Sequence, residues 1–236
     1  MARRVTVGLD ADPPFGGHRQ SQTSGDGSVR MEPLPTGISV LDREFGGGIP
    51  SGSLVALTAD PASQSELILD RFSRVRECRY LTTVRSADAV EASLTLDDED
   101  DETVVRDATG DDPFGTVLDA AAELPDEGTV VIDSVGPLEA GDREGYGAFL
   151  DELRRRVDDA DGLAVLHALK GAAADRNRIV TEQVADVVFD LRTTVTGTEI
   201  ANRLVVPKFR GGAALEEPLK LKLTDSVSVD TSRDIA

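Results

Sequence analysis

Residues 54–77 hold an order of elements able to do nucleotide chemistry: a strand, a short loop and a helix. A phosphate-binding loop of the form G-x-x-x-x-G-K-[ST] uses glycines so that backbone N–H groups can wrap the phosphates. Its lysine supplies positive charge, and its Ser/Thr hydroxyl holds magnesium. Here a strand over Leu54 to Thr58 and a helix from about Gln64 to Glu77 flank Ala59, Asp60, Pro61, Ala62, Ser63, Gln64, Ser65 and Glu66. Ala59 and Gln64 stand where the glycines belong, Ser65 where the lysine belongs and Glu66 where the hydroxyl belongs. The frame of the loop is present and its chemistry is not.

Each replacement has a physical consequence. Ala59 and Ala62 can follow such a loop only where φ is negative, because a left-handed turn costs an alanine about 1–2 kcal/mol. Ser65 removes the main cationic contact to phosphate. Glu66 sets a carboxylate where phosphate oxygens would lie, a repulsion of roughly 1 kcal/mol in water at 4 Å and roughly 4 at an effective dielectric of 20. Glu66 also has two attractive roles open to it. It can ligate magnesium, or it can be an acid at a helix N-terminus, stabilised by the macrodipole by roughly 0.3–1 kcal/mol. The second is preferred.

Beyond the loop, strands and helices alternate, which argues for an α/β fold with a mostly parallel sheet. Strands are expected at Tyr80 to Val84, Thr103 to Arg106, Thr129 to Ser134, Leu163 to Leu166 and Ala185 to Leu191. Helices are expected at Ala87 to Leu94, Thr116 to Leu124 and Tyr146 to Asp159, the last with Phe149, Leu150, Leu153 and Val157 on one face. Arg203 to Lys208 and Lys220 to Leu223 read as a late antiparallel pair. The acidic run from Asp97 to Glu102 reads as a solvated connection. Asp133 ends the most apolar strand, where an acid can bind magnesium through water or cap the next turn with Ser134. His167 follows another strand, and a hydrogen-bonded structural role is the simpler reading for it.

The chain of 236 residues carries a formal charge of −19, with 28 Asp, 16 Glu and only 4 Lys among 25 basic residues. Such self-repulsion in dilute buffer is a lever used by halophiles, so the composition points to a salt-accumulating cell rather than to an ordinary acidic protein. An acidic surface disfavours nonspecific phosphate contacts, and no basic stripe is visible, so nucleic acid is not favoured as a partner. Cys78 is the sole cysteine, which excludes an internal disulfide and a zinc cluster. No apolar run approaches the ~20 residues of a membrane span. Arg3-Arg4 lacks a following apolar core, so a cytoplasmic location without membrane attachment is expected.

Residues 1–30 hold four Arg and three Asp among Gly, Ser, Gln and Pro, without periodicity, and are expected to be a disordered extension. Met31, immediately before the domain of residues 31–236, offers an alternative start.

The order of segments resembles the RecA superfamily, specifically KaiC-like and archaeal RadA-like ATPases, and is most similar to a haloarchaeal set labelled RecA-superfamily ATPases or Htr-like proteins. The matching features run from about Leu34 to Val229. They are a T-G-x-x-x-L-D opening (Thr36, Gly37, Leu41, Asp42), a G-G-G-I-P-x-G turn (Gly46 to Pro50, Gly52), a Walker B strand ending at Asp133 and a late K-x-R-G element (Lys208, Arg210, Gly211). The resemblance implies a RecA-like P-loop-NTPase-type fold, an ATP/Mg site at 59–66 with Asp133 toward the metal, and oligomers of RecA/KaiC-like subunits.

It also implies that Lys208 and Arg210 reach a neighbour's γ-phosphate, the arginine-finger role. Strand alternation sets 208 and 210 on one face, as that role requires. A solvated pair ahead of the Gly211-Gly212 turn is the plainer reading. The water-activating glutamates of KaiC-like ATPases fall at Val84 and Arg85 here, and arginine cannot act as a base because it stays protonated.

Two functions follow from these observations. The preferred one is a catalytically degenerate module, with no cofactor, acting as a regulatory or assembly subunit. The other is an atypical ATPase that uses Ser63, Ser65 and Asp133, in DNA recombination, repair or signalling.

Overall fold

The computed structural model describes residues 32–94, 103–171, 176–224 and 226–229. The expectations for residues 1–31 and for the acidic run at 97–102 lie outside the described residues. The chain opens with β1 (Pro33–Leu34), α1 (Ser39–Glu44) and β2 (Ile49–Pro50), and β1 pairs antiparallel with β2. The Thr36/Asp42 motif ties this entry together, since the Thr36 N–H and hydroxyl both donate to Asp42 Oδ1, at 2.7 and 2.8 Å. Gly48 is demanded by close approach. At φ 139° a Cβ there would lie 2.0 Å from the Leu34 carbonyl oxygen.

Next, β3 (Ser53–Ala59) leads through a loop to α2 (Glu66–Arg74), β4 (Cys78–Thr82), α3 (Ala87–Glu91) and β5 (Thr103–Asp107). Then come α4 (Pro113–Ala122), β6 (Thr129–Asp133), α5 (Gly136–Glu139), α6 (Arg143–Asp159) and β7 (Leu163–Leu169). The last elements are α7 (Arg178–Val184), β8 (Val187–Thr196), β9 (Glu199–Phe209), β10 (Leu219–Leu223) and β11 (Val227–Val229). One nine-stranded sheet runs β11-β10-β9-β8-β3-β7-β6-β4-β5. Its strands from β8 through β5 are parallel, whereas β9, β10 and β11 are antiparallel to their neighbours. The expected late pair forms, with Lys220 opposite Arg203.

Both faces of the central strands are covered, which is why β3 and β6 are buried throughout and read as unbroken apolar runs. Val55 and Leu57 face a layer built from Leu41, Ile68, Leu69 and Phe72 of α1 and α2. Leu54, Ile132 and Leu166 face Val117 of α4 and Tyr146, Leu150 and Leu153 of α6. Asp112 and Asp142 start α4 and α6 by accepting from the backbone N–H groups of Gly115 and Gly145, at 2.9 and 2.8 Å.

Two features depart from the sequence reading. The first is that β9 pairs along its length with β8, across a turn at Gly197 (φ 60°). The outer halves of these strands are largely polar and exposed, so periodicity carried no sign of that pairing. The second is α7, which buries Arg178 and Thr181 rather than an apolar stripe. Arg178 forms a forked pair with the fully buried Glu139, at 2.8 Å from Nε to Oε1 and 2.8 Å from Nη2 to Oε2. The Thr181 hydroxyl donates to the same carboxylate at 2.5 Å. Arg178 also donates to the Leu169 carbonyl at 2.9 Å, which docks α7 onto the end of β7.

Removing one partner of a buried pair leaves the other charge uncompensated. Arg178→Met is expected to destabilise the fold by about 3 kcal/mol in denaturant titrations. Cys78 reports on the same transition. Burial pushes its thiol up to about 12, with Arg79 and Arg76 pulling the other way, so it should resist alkylation at pH 8 until the chain unfolds. Rapid modification of the native protein would contradict this core.

Candidate functional site

Three strands deliver their C-terminal ends to one place. In the parallel register Asp133 of β6 lies beside His167 of β7, and His167 lies beside Leu57 of β3. The loop after β3 brings Ser65 to the start of α2. The Ser65 hydroxyl lies 2.9 Å from His167 Nε2, and His167 Nδ1 lies 2.7 Å from Asp133 Oδ1. Ser65 and His167 are each 2 % exposed and Asp133 is 8 %. A carboxylate can only accept, so His167 Nδ1 donates to Asp133; a neutral ring then leaves Nε2 to accept from Ser65.

The second oxygen of Asp133 is also engaged. Oδ2 accepts from the Tyr80 hydroxyl at 2.9 Å and from the Arg85 guanidinium at 2.8 Å. Burial raises the Asp133 carboxyl, yet His167, Arg85 and Tyr80 outweigh it and hold the group at about 2. Arg85 answers in kind. Burial disfavours its charge, but the hydrogen bond to Asp133, its charge and that of Glu66 raise its pKa on balance. Asp133 does not cap the following turn: the N-cap of α5 is Val135, with no side-chain hydrogen bond. Thr83 instead braces the adjoining backbone, accepting from the Ser134 N–H at 3.1 Å and donating to the Ser134 carbonyl at 2.5 Å.

The loop itself has no left-handed residue, since none of residues 59–66 has positive φ. Alternating right- and left-handed residues are what turn successive N–H groups onto an anion, and that alternation is missing here. Asp60, Pro61, Ala62, Gln64 and Glu66 are exposed, Ser63 is half-buried, and Ala59 belongs to the buried strand. The Ser63 N–H and hydroxyl close a local turn onto the Asp60 carbonyl, at 2.9 and 2.6 Å. Glu66 begins α2, and Arg71 and Arg74 end it, an arrangement that complements the helix dipole.

Lys208 and Arg210 lie away from this cluster. Lys208 is level with Val188 and Ala56, and the Arg210 N–H reaches the Asp186 carbonyl, near the start of β3. Ser65 follows the other end of that strand, about 17 Å along it at strand rise. Lys208 Nζ donates to the carbonyls of Glu182 and Gln183, at 2.9 and 2.8 Å. Arg210 donates to Gln183, Val184 and the Asp186 carboxylate. Both cations therefore cap the C-terminus of α7. Burial lowers the Lys208 pKa, and Arg210 adds to the effect.

Sequence reasoning joined Ser65 to Asp133 only in the alternative ATPase, kept His167 apart and gave Tyr80 no role. Their positions are 80, 133 and 167 against 65, so only strand register joins them. Among the described residues no group of three His, Cys, Asp or Glu is placed to hold a metal, and no helix is long and apolar enough to cross a membrane.

The carboxyl of Asp133 is depressed from 3.8 to about 2 by its partners in the fold. Its ion pairs stabilise the native state above pH 4 and are lost as pH falls through 2. The native protein is expected to lose about 2 kcal/mol more than Asp133→Asn over that interval, followed by acid unfolding of both. Equal acid sensitivity of the two proteins would remove Asp133 as the centre of the cluster.

Comparison with known proteins places this geometry. A KaiC-like protein of Pyrococcus horikoshii superposes with a TM-score of 0.69 at 16 % identity, over 85 % of this chain and 99 % of that one. The fold is thus RecA-like, of the KaiC/RadA type. The DNA repair protein RadA from two strains of Mycobacterium tuberculosis, CDC 1551 / Oshkosh and H37Rv, is 31 % identical over 168 residues, which is 68 % of this chain. The chain spans about a third of the length of these curated relatives, 32 %. A family model described as a family of unknown function, DUF7125, matches residues 33–236, and the chain belongs to that family.

Proposed function

We propose that this chain is a RecA/KaiC-like module that has given up conventional ATP hydrolysis and acts as a regulatory or assembly subunit through protein contacts. The observation that carries the reading is the engagement of Asp133. Magnesium-bound water would have to compete with Arg85, Tyr80 and His167 for its two oxygens, at 2.7–2.9 Å. An arginine stands where a water-activating glutamate is needed, and Ser65 replaces the phosphate-gripping lysine. The loop's negative φ angles agree with the loss of the anion cradle.

The subunit works in the cytoplasm of a salt-accumulating cell, in a homo- or hetero-oligomer with other RecA/KaiC-like subunits. Arg210 stands near the opposite end of β3 from the chain's own loop and Lys208 is level with the middle of that strand, so a neighbouring subunit's nucleotide is the one they can serve. Arg210 has a side chain 54 % exposed, which leaves it available to such a neighbour. The similarity to RadA favours a second reading, an atypical ATPase in DNA recombination or repair that works through Ser63, Ser65 and Asp133. The charge of −19 makes direct binding to nucleic-acid phosphates the weaker route to either role.

Titration of the full chain with labelled ATP and Mg²⁺ in molar KCl separates the two. Absence of saturation up to millimolar ATP is the expected result. Micromolar, magnesium-dependent binding that Asp133→Asn abolishes would replace this proposal with the ATPase.

A further inference from the structure

We infer that Ser65, His167 and Asp133 form an acyl-transfer site that cleaves uncharged carboxylic esters, built where the phosphate loop would otherwise be. A hydroxyl, an imidazole and a carboxylate stand in line, at 2.9 Å from Ser65 Oγ to His167 Nε2 and 2.7 Å from Nδ1 to Asp133 Oδ1. A serine becomes a nucleophile when a base removes its proton and a third group orients that base. Asp133 is the positioning residue. Arg85 and Tyr80 fix its second oxygen, so the carboxylate cannot turn away from the ring.

The backbone setting suits the reaction. Ser65 occupies a strand–loop–helix junction at the start of α2, with ordinary helical angles of φ −63° and ψ −24°. The N–H groups of Gln64, Ser65 and Glu66 make no hydrogen bond within the described residues. They adjoin the nucleophile in the chain and are free to donate to the negative oxygen of a tetrahedral intermediate. Ser65 is buried, and the loop of residues 60–64 before it makes hydrogen bonds, among the described residues, only within itself and to the first residues of α2. Lifting that loop breaks no long-range hydrogen bond.

Charge decides the substrate class. Asp60 and Glu66 lie near Ser65 in the chain, the Arg85 guanidinium is committed to Asp133, and the Lys170 ammonium is paired with Asp190. Phosphate esters would be repelled, whereas a neutral acyl carbonyl would not. In the first step Ser65 Oγ bonds to the carbonyl carbon and its proton passes to His167 Nε2. Collapse of the intermediate breaks the ester C–O bond, and the departing alkoxide takes the proton from His167. Water then attacks the acyl-serine and gives its proton to His167. The carboxylic acid leaves as Ser65 Oγ recovers the proton.

The test incubates the full chain in molar KCl with an uncharged fluorophosphonate and, separately, with p-nitrophenyl acetate. Mass spectrometry is expected to find one adduct, on Ser65. Ester turnover and labelling should vanish in Ser65→Ala and fall about 100-fold in His167→Gln. Protection of Cys78 from alkylation verifies that each variant is folded. Should Ser65→Ala not fold, Ser65→Cys in a Cys78→Ser background serves, and its thiol should react with iodoacetamide faster than in the corresponding His167→Gln protein. No adduct on Ser65, or a labelling rate indifferent to His167, overturns the proposal. Neither result depends on whether ATP binds.

Discussion

A carboxylate buried at the end of a central strand must have its charge answered, and the architecture around Asp133 is organised by that requirement. Three donors reach it from different parts of the chain: the His167 ring from β7, the Tyr80 hydroxyl from β4 and the Arg85 guanidinium from the segment after β4. Isolated in an apolar interior such a charge would take up a proton instead. Satisfied in this way it stays ionised and locks β4, β6 and β7 at their functional ends. It also orients His167, and through His167 it meets Ser65. The loop, the strand ends and the first turn of α2 are therefore joined in one polar unit.

This arrangement would let a RecA-like fold that lacks phosphate chemistry, as proposed here, keep its loop region packed. The lysine of a phosphate loop needs an anion to answer it. A serine needs only a hydrogen-bond partner, and His167 supplies one. Arg85 likewise serves as a counter-ion for Asp133. The substitutions agree with one another. Restoring the lysine alone would put a cation against His167 and leave Arg85 still holding Asp133.

The opposite end of the sheet follows the same physical rule with different partners. Helix α7 ends near the start of β8, and its last carbonyls would be orphaned without donors. Lys208 and Arg210 supply them, while Asp186 binds Arg154 at 2.8 Å and accepts from the Leu54 N–H at 2.9 Å. At the other end of α7 the Arg178–Glu139 pair fixes the helix to α5 and β7. A KaiC-like finger role for Lys208 and Arg210 would ask them to exchange these carbonyls for a neighbour's phosphate.

The sequence by itself determined the strand–helix alternation, the parallel centre and the antiparallel close, because these depend on local apolar patterning and turn residues. It also set Ala59, Gln64, Ser65 and Glu66 where a phosphate loop would carry its glycines, lysine and hydroxyl, which is the basis of the proposed loss of ATP chemistry. The length of β9, the whole of α7 and the cluster at Asp133 were not legible there. Polar outer strands and a helix seated by Arg178 and Thr181 have no hydrophobic period to read. Ser65 and His167 are separated by 102 residues and meet only because β3 and β7 are neighbours in the sheet. Strand order is a long-range outcome of packing, and it alone decided which hydroxyl faces which imidazole.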